Sequence, residues 1–162
     1  LFAEILRLES EDGRKLDLGH VGKVNQVNSE LLKSLCKART IPVIAPIAQD
    51  KSGEKLNVNA DSAAGEVAAA IQAEKLVMVS DTHGILTDME DAESRISSLD
   101  ESRVKDMIRE GIITQPMFPK IDACLRALDC GVRKAHIIDG RIEHSLLLEI
   151  YTAEGVGTEL IR

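Results

Sequence analysis

Three stretches of this chain carry side chains suited to holding or transferring an anionic group. The first is LNVNADSAAGEVAAAI, residues 56–71, where Asn57, Asn59 and Asp61 alternate with small or apolar residues directly before an alanine-rich run. Period-two alternation giving way to helical spacing places these groups at a helix N-terminus, beside free N–H groups and the positive end of the helix dipole. Asparagine amides there can hold a carboxylate and a lone aspartate can orient a cation. The same residues also suit a plain cap and turns. A calcium loop would need a glycine and a distal glutamate that the string lacks. The second stretch centres on Lys120, which follows Pro119 at a helix start, where the dipole disfavours a cation by about 0.3–1 kcal/mol. Such a lysine either sits in solvent or has an anion beside it, and beside a phosphate it acts as a compact charge that follows a transferring phosphoryl group. The third is Ser80-Asp81-Thr82-His83-Gly84-Ile85-Leu86, just past an apolar run. A carboxylate in that position can take a ribose hydroxyl, and the glycine admits a ligand close to the backbone; a plain turn fits equally well.

These groups need rigid elements behind them. Residues 41–48 (IPVIAPIA), 75–80 (KLVMVS) and 134–139 (KAHIID) are apolar runs of the kind expected for strands buried on both faces. Helices are expected from Asn28 and Ser29 to near Arg39, over residues 62–72, from Asp100 as N-cap to Gly111, from Pro119 to Cys130 and Gly131, and around residues 143–151. In the first of them Leu31, Leu32, Leu35 and Cys36 share a stripe. Residues 1–8 carry a helical apolar pattern, and Asp12-Gly13 is a turn signal before residues 16–24, which a hairpin would satisfy. Residues 50–54 read as a polar turn, 88–98 as a polar loop and 112–118 as an irregular loop. Strands alternating with longer helices predict one α/β domain with a parallel or mixed sheet covered on both faces. In such sheets the ligand lies beyond the C-terminal strand ends. Three polar clusters fall there: Asn57/Asn59/Asp61, Ser80/Asp81/Thr82 and Asp139/Gly140/Arg141.

A chain of 162 residues with 44% hydrophobic content closes a core without metal or disulfide staples. Its net charge of −7 and its three aromatic residues, Phe2, Phe118 and Tyr151, argue against nucleic acid as a partner, since neither a basic footprint nor a stacking platform is present. No P-loop, G-x-S-x-G or protein-kinase glycine loop occurs. Cys36, Cys124 and Cys130 lack metal-ligand spacing and read as reduced, mostly buried thiols; the four histidines are scattered, so no metal site is expected. No apolar run approaches the roughly 18 residues of a membrane helix and no signal segment opens the chain, so a soluble, cytoplasmic protein with no membrane partner is expected. The chain opens at Leu1 inside an apolar pattern, as a piece of a longer chain would.

Taken in order, the motifs resemble the C-terminal, nucleotide-binding part of the N-acetylglutamate kinases, in the amino acid kinase superfamily. The match is carried by Leu18-Gly19-His20-Val21-Gly22, Asn57-Val58-Asn59-Ala60-Asp61, Ser80 through Leu86, Gly111-Ile112-Ile113-Thr114, Met117-Phe118-Pro119-Lys120 and Ala135-His136-Ile137-Ile138-Asp139-Gly140-Arg141. His144-Ser145-Leu146-Leu147-Leu148-Glu149 and Gly155-Val156-Gly157-Thr158 extend it to the tail. The resemblance implies a three-layer αβα sandwich with a mainly parallel sheet. It also implies transfer of the ATP γ-phosphoryl group to the side-chain carboxylate of N-acetyl-L-glutamate, a step of arginine biosynthesis, with Mg²⁺ carried mainly by the nucleotide phosphates. On that analogy Lys120 stabilises the transferring group and Asp61 positions the catalytic lysines. Asn57, with Asn59, holds the acetylglutamate. Ser80, Asp81, Thr82, His83, Gly84, Ile85, Leu86, Ile112, Ile113 and Thr114 line the nucleotide. Arginine as feedback inhibitor, near Gly155 to Thr158, and a homo-oligomeric parent are implied as well. The family's N-terminal substrate lobe has no counterpart here, and Gln115-Pro116 stands where the family has Gly-Gly, removing a backbone N–H and fixing φ. Intact Asn57, Asp61 and Lys120 favour a kinase parent whose fragment binds nucleotide with little turnover; the two departures favour the alternative, a non-catalytic module sensing nucleotide or arginine. Exposed apolar surface is expected where the other lobe would pack.

Overall fold

The computed structural model describes residues 1–9, 15–88, 90–152 and 155–162. Strands β1 (Phe2–Ile5), β2 (Leu8–Glu9), β3 (Lys15–Leu16) and β4 (Gly22–Gln26) precede helix α1 (Ser29–Lys37). Next come β5 (Ile47–Gln49), β6 (Lys55–Asn57), α2 (Ala60–Ile71) and β7 (Lys75–Ser80). The chain ends through β8 (Ser98–Asp100), α3 (Glu101–Arg109), α4 (Phe118–Asp129), β9 (Lys134–Asp139), α5 (Ser145–Tyr151) and β10 (Thr158–Ile161). Two four-stranded sheets result, ordered β4-β1-β5-β6 and β7-β9-β10-β8.

The second sheet carries the larger core. β7 and β9 pair in parallel from Lys75↔Lys134 to Ser80↔Asp139, so Ser80 and Asp139 end side by side. β10 lies antiparallel to β9 and parallel to β8. Along β9 the period of two sorts the side chains between faces. Ala135 and Ile137 join Ile121, Cys124 and Leu128 of α4 in the core, whereas His136 meets Glu149 of α5 on the opposite face. The strand is therefore sandwiched between helices, and its near-continuous apolar run follows from that position. α2 spans both cores: Ala63 packs with Ala3 and Leu56 of the first sheet and with Val58 just beyond it, and Ala68 with the second. Small residues on α2 let it approach α4 closely at Gly65, where an added Cβ would stand 2.9 Å from the Ala123 carbonyl oxygen.

Most helix limits agree with the sequence reading because their caps are local. Asn28 accepts from the Leu31 N–H and Asp100 from the Arg103 N–H, while Gly111 (φ +76°) and Gly131 (φ +98°) follow α3 and α4 in the left-handed conformation that stops a helix. The turn at residues 50–54 is held by Asp50, which accepts from the Ser52 and Glu54 N–H groups. α2 starts at Ala60, two residues before the expected Ser62, because Asn59 rather than Asp61 is its cap, accepting from the Ser62 N–H at 2.9 Å.

Other expectations are corrected. The helical pattern over residues 1–8 forms β1 and β2 instead, since β1 finds backbone partners in β4 and β5. β2 and β3 pair antiparallel, as a hairpin requires, while Asp12-Gly13 lies outside the described residues. Residues 41–48 do not form a buried strand: only Ile47–Gln49 is extended within a sheet, and Ile41 and Val43 are 87% and 95% exposed. Pro42 and Pro46 remove the N–H groups that a central strand would donate. The stripe on α1 exists, yet α1 buries none of its residues, and Leu31 is exposed. Only Cys124 of the three free thiols is buried; Cys36 and Cys130 are exposed. Burial, and then the charge of Asp61, pushes the Cys124 thiol up to about 12. β8 and β10 were not foreseen: each is short, and each depends on the other as neighbour.

Candidate functional site

At the C-terminal ends of β7 and β9 lies a cavity of about 610 Å³, a size typical of small-molecule sites. All ten residues expected to line a nucleotide border it: Ser80, Asp81, Thr82, His83, Gly84, Ile85, Leu86, Ile112, Ile113 and Thr114. Lys120, Pro116, Met117 and Arg141 complete the wall. Gln115–Met117 is a single 3₁₀ turn, whose Met117 sulfur lies 3.8 Å from the Thr82 hydroxyl.

The loop after β7 is pinned from below. Gly84 has φ +90°, and a Cβ there would come within 2.8 Å of Thr158 Oγ1. That hydroxyl, on a residue with no exposure, accepts the Ile85 N–H at 2.9 Å and donates to the Ile96 carbonyl at 2.7 Å. The Arg95 guanidinium donates to the neighbouring Gly157 carbonyl. Thr158 thus fixes how far the loop rises over the sheet. Thr158→Val keeps the shape and strands the Ile85 N–H, with an expected loss of about 1–3 kcal/mol in urea unfolding. Thr158→Ser retains the bond and should lose much less; equal losses for the two variants would show that the hydroxyl does not matter.

Asp61 and Lys120 meet at 3.0 Å, with side chains 24% and 21% exposed. They come from different helices, each near its N-terminus, so the carboxylate is the anion that the cation beside Pro119 called for. The approach of α2 to α4 at Gly65 and Ala123, one turn further along, sets the separation of this pair. Asn57 and Asn59 are not brought into the cavity. Asn57 is exposed on β6, and Asn59 is spent on the cap of α2, facing a separate hollow shared with Ser62, Glu66 and Arg126.

Two groups lie outside the residues to which the motif resemblance gave a role. Asp139 is fully buried, and the hydrogen bonds of Arg141 hold its carboxyl down to about 2. The polar cluster Asp139/Gly140/Arg141 at a C-terminal strand end is the sequence signal for this pair, to which the motif resemblance attaches no role. On the other face of β9, both ring nitrogens of the buried His136 lack a well-directed hydrogen bond, although Glu149 lies against it. Burial pulls the His136 imidazole below its ordinary 6.5, outweighing the pull of Glu149 in the other direction. The unfolded chain therefore takes up the proton first as the pH falls. Stability from His136 is complete above about 6.5 and is lost as the pH drops below it, whereas that from Asp139 persists above 3.8 and is lost as the pH falls toward about 2. Melting temperatures across pH 2–8 should show both declines. In a His136→Asn variant the first decline should vanish, and its persistence would implicate another group.

A ligand-sized cavity over the strand ends of an α/β domain, with a lysine aimed by a carboxylate at its edge, is an arrangement able to hold a small anionic ligand. The chain belongs to the amino acid kinase family, whose model matches residues 3–139. Among curated relatives, it is 50% identical over 153 residues to the acetylglutamate kinase of Moorella thermoacetica, covering 93% of this chain and 52% of that protein. It is 46% identical over 156 residues to the acetylglutamate kinase of Methanosphaera stadtmanae, covering 95% of this chain and again 52% of that protein. The chain thus spans about half the length of the curated relatives it matches. Among solved structures, N-acetylglutamate synthase from Neisseria gonorrhoeae complexed with coenzyme A and L-arginine superposes with a TM-score of 0.85 at 25% identity, covering 99% of this chain and 36% of that one. The resemblance to acetylglutamate kinases and the α/β fold drawn from the motifs are borne out.

Proposed function

We propose that this chain is the nucleotide-binding half of an acetylglutamate kinase, which transfers the γ-phosphoryl group of ATP to the side-chain carboxylate of N-acetyl-L-glutamate. The observation that carries the proposal is the Lys120–Asp61 pair at the edge of the cavity. Phosphoryl transfer asks the protein for positioning and charge stabilisation more than for covalent chemistry. Lys120 supplies the charge, and Asp61 keeps the ammonium aimed. The loop from Ser80 to Leu86 and the segment Ile112, Ile113, Thr114 hold the nucleotide, while Asn57, outside the cavity on β6, belongs to the acetylglutamate side. Among the described residues no group of three or more His, Cys, Asp or Glu is arranged to hold a metal ion, and Asp61 and Asp139 already face cations, so Mg²⁺ is assigned to the phosphates, whose charge it neutralises when bound. None of the described helices is long and apolar enough to cross a membrane, and the proposed reaction is one of the cytoplasm.

Thermal unfolding with and without saturating Mg·ADP tests this reading. A ligand at about 100 times its Kd stabilises by about 2.7 kcal/mol, and at roughly 2–4 °C per kcal/mol a rise of several degrees is expected. A wild-type chain whose melting is unmoved by Mg·ADP would overturn it.

A second reading, arginine sensing, is favoured by the other face of β9. Glu149 is buried and accepts the Val156 and Gly157 N–H groups at 2.8 and 3.0 Å, its remaining oxygen facing His136. A buried carboxylate in such a setting suits a guanidinium, and the Neisseria synthase was solved with L-arginine. If the reading holds, arginine raises the melting temperature of the wild type but not of Glu149→Gln. Equal shifts in both would remove it.

A further inference from the structure

We propose that Arg141 is a phosphate-contacting residue of the cavity, its guanidinium held in place by the buried Asp139 and by His83. The assignment rests on the nucleotide reading of the cavity. Arg141 stands just past β9, beside the seam where Ser80 and Asp139 end together. Asp139 has no exposure, and its oxygens accept the Arg141 backbone N–H and Nε at 2.9 Å each and Nη2 at 2.8 Å. His83 Nδ1 lies 2.9 Å from the same carboxylate, and its Nε2 lies 3.1 Å from Arg141 Nη2. With Nδ1–H donated to Asp139, Nε2 accepts from the arginine, so the imidazole joins the carboxylate in fixing one plane for the guanidinium.

The burial is one-sided. Taking an ion out of water is costly, and only one partner of this pair is taken out. Here the carboxylate side chain is 1% exposed and the guanidinium side chain 56%. The bonds to Asp139 and His83 use Nε and Nη2, and among the described residues Nη1 makes no hydrogen bond. A planar donor fixed in advance loses little freedom on meeting a phosphate oxygen. Gly140 eases the placement: a Cβ there would stand 2.6 Å from Val79 Cγ1, so any other residue would have to displace the Val79 side chain. The cavity is bordered by two cationic side chains, Lys120 and Arg141, in a chain of net charge −7. A nucleoside polyphosphate carries several negative charges, and Lys120 already faces Asp61. Arg141 supplies the second positive contact, away from that pair.

Isothermal titration of wild type, Arg141→Gln and Arg141→Lys with Mg·ADP and, separately, with adenosine tests the assignment. Arg141→Gln should weaken Mg·ADP by about tenfold or more, the scale of one hydrogen bond to a charged group, while adenosine changes by less than about twofold. Arg141→Lys should recover part of the loss, because an ammonium keeps the charge but not the fork. Unchanged Mg·ADP binding in Arg141→Gln, or equal losses for Mg·ADP and adenosine, would overturn the proposal. A wild type that binds neither ligand would instead sink the nucleotide reading and the assignment with it. Should Arg141→Gln fail to fold, the Arg141→Lys comparison decides: a loss confined to Mg·ADP supports a phosphate contact, and no selective loss refutes it.

Discussion

Lys120→Ala, assayed in a chain that carries both halves seen in the curated relatives, is expected to lower kcat for acetylglutamate phosphorylation by about 10²- to 10³-fold, with a much smaller change in the KM for ATP. The magnitude is that of removing one preorganised donor from a charge that develops in the transition state. The asymmetry between kcat and KM follows from the same idea, because an interaction strongest in the transition state contributes little to ground-state binding. Asp61→Asn should fall in the same direction for a different reason. The amide leaves Lys120 charged but no longer aimed, and its ammonium is free to settle on a ground-state phosphate. A double variant no worse than Lys120→Ala would show that the two residues act as a unit. If Lys120→Ala keeps kcat and raises only KM, the lysine holds nucleotide and does not serve the chemical step.

The second large effect is structural and lies four residues along α2 from Asp61. Gly65→Val should destabilise the chain by about 3 kcal/mol, at the upper end of overpacking, because its first carbon already meets the Ala123 carbonyl oxygen at 2.9 Å and the Ala123 Cβ at 3.1 Å. The neighbours it meets are backbone and a methyl group, which cannot rotate aside. α2 and α4 must separate, and Asp61 and Lys120 separate with them. Urea unfolding reads the stability, and the rise in melting temperature with Mg·ADP reads the site. A Gly65→Val chain within about 0.5 kcal/mol of wild type would mean that the helices do not pack as described. A destabilised chain whose Mg·ADP shift is unaltered would mean that the crossing does not set the pair.

The parts legible in the sequence share one property, that a local pattern was sufficient. Asn28, Asp100, Gly111 and Gly131 mark helix ends through bonds and dihedrals within a few residues, and β7 and β9 announce themselves through short apolar, β-branched runs, although burial on both faces holds for β9 and not for β7, where Val79 is exposed. The cavity walls were legible through motif resemblance, and the geometry assembles them. What failed depends on distant partners. Residues 1–8 satisfy a helical period by coincidence, and the choice of strand is made by β4 and β5. Residues 41–48 have strand composition, but two prolines and the lack of neighbours leave them irregular up to Pro46. Arg141 was legible only as part of a polar cluster at a strand end; its orientation comes from a buried carboxylate and a histidine 58 positions away.

The run Ile41, Pro42, Val43, Ile44 has a consequence for the life of the chain in a cell. It is irregular, apolar and uncovered in the native state, beside an α1 that buries nothing. Chaperones and proteases triage chains by exposed apolar segments, which most proteins present only on unfolding. This chain presents one while folded. Covering residues 41–44, by another part of a longer chain or by a partner, would remove that signal, a protection that a gain in unfolding free energy does not supply.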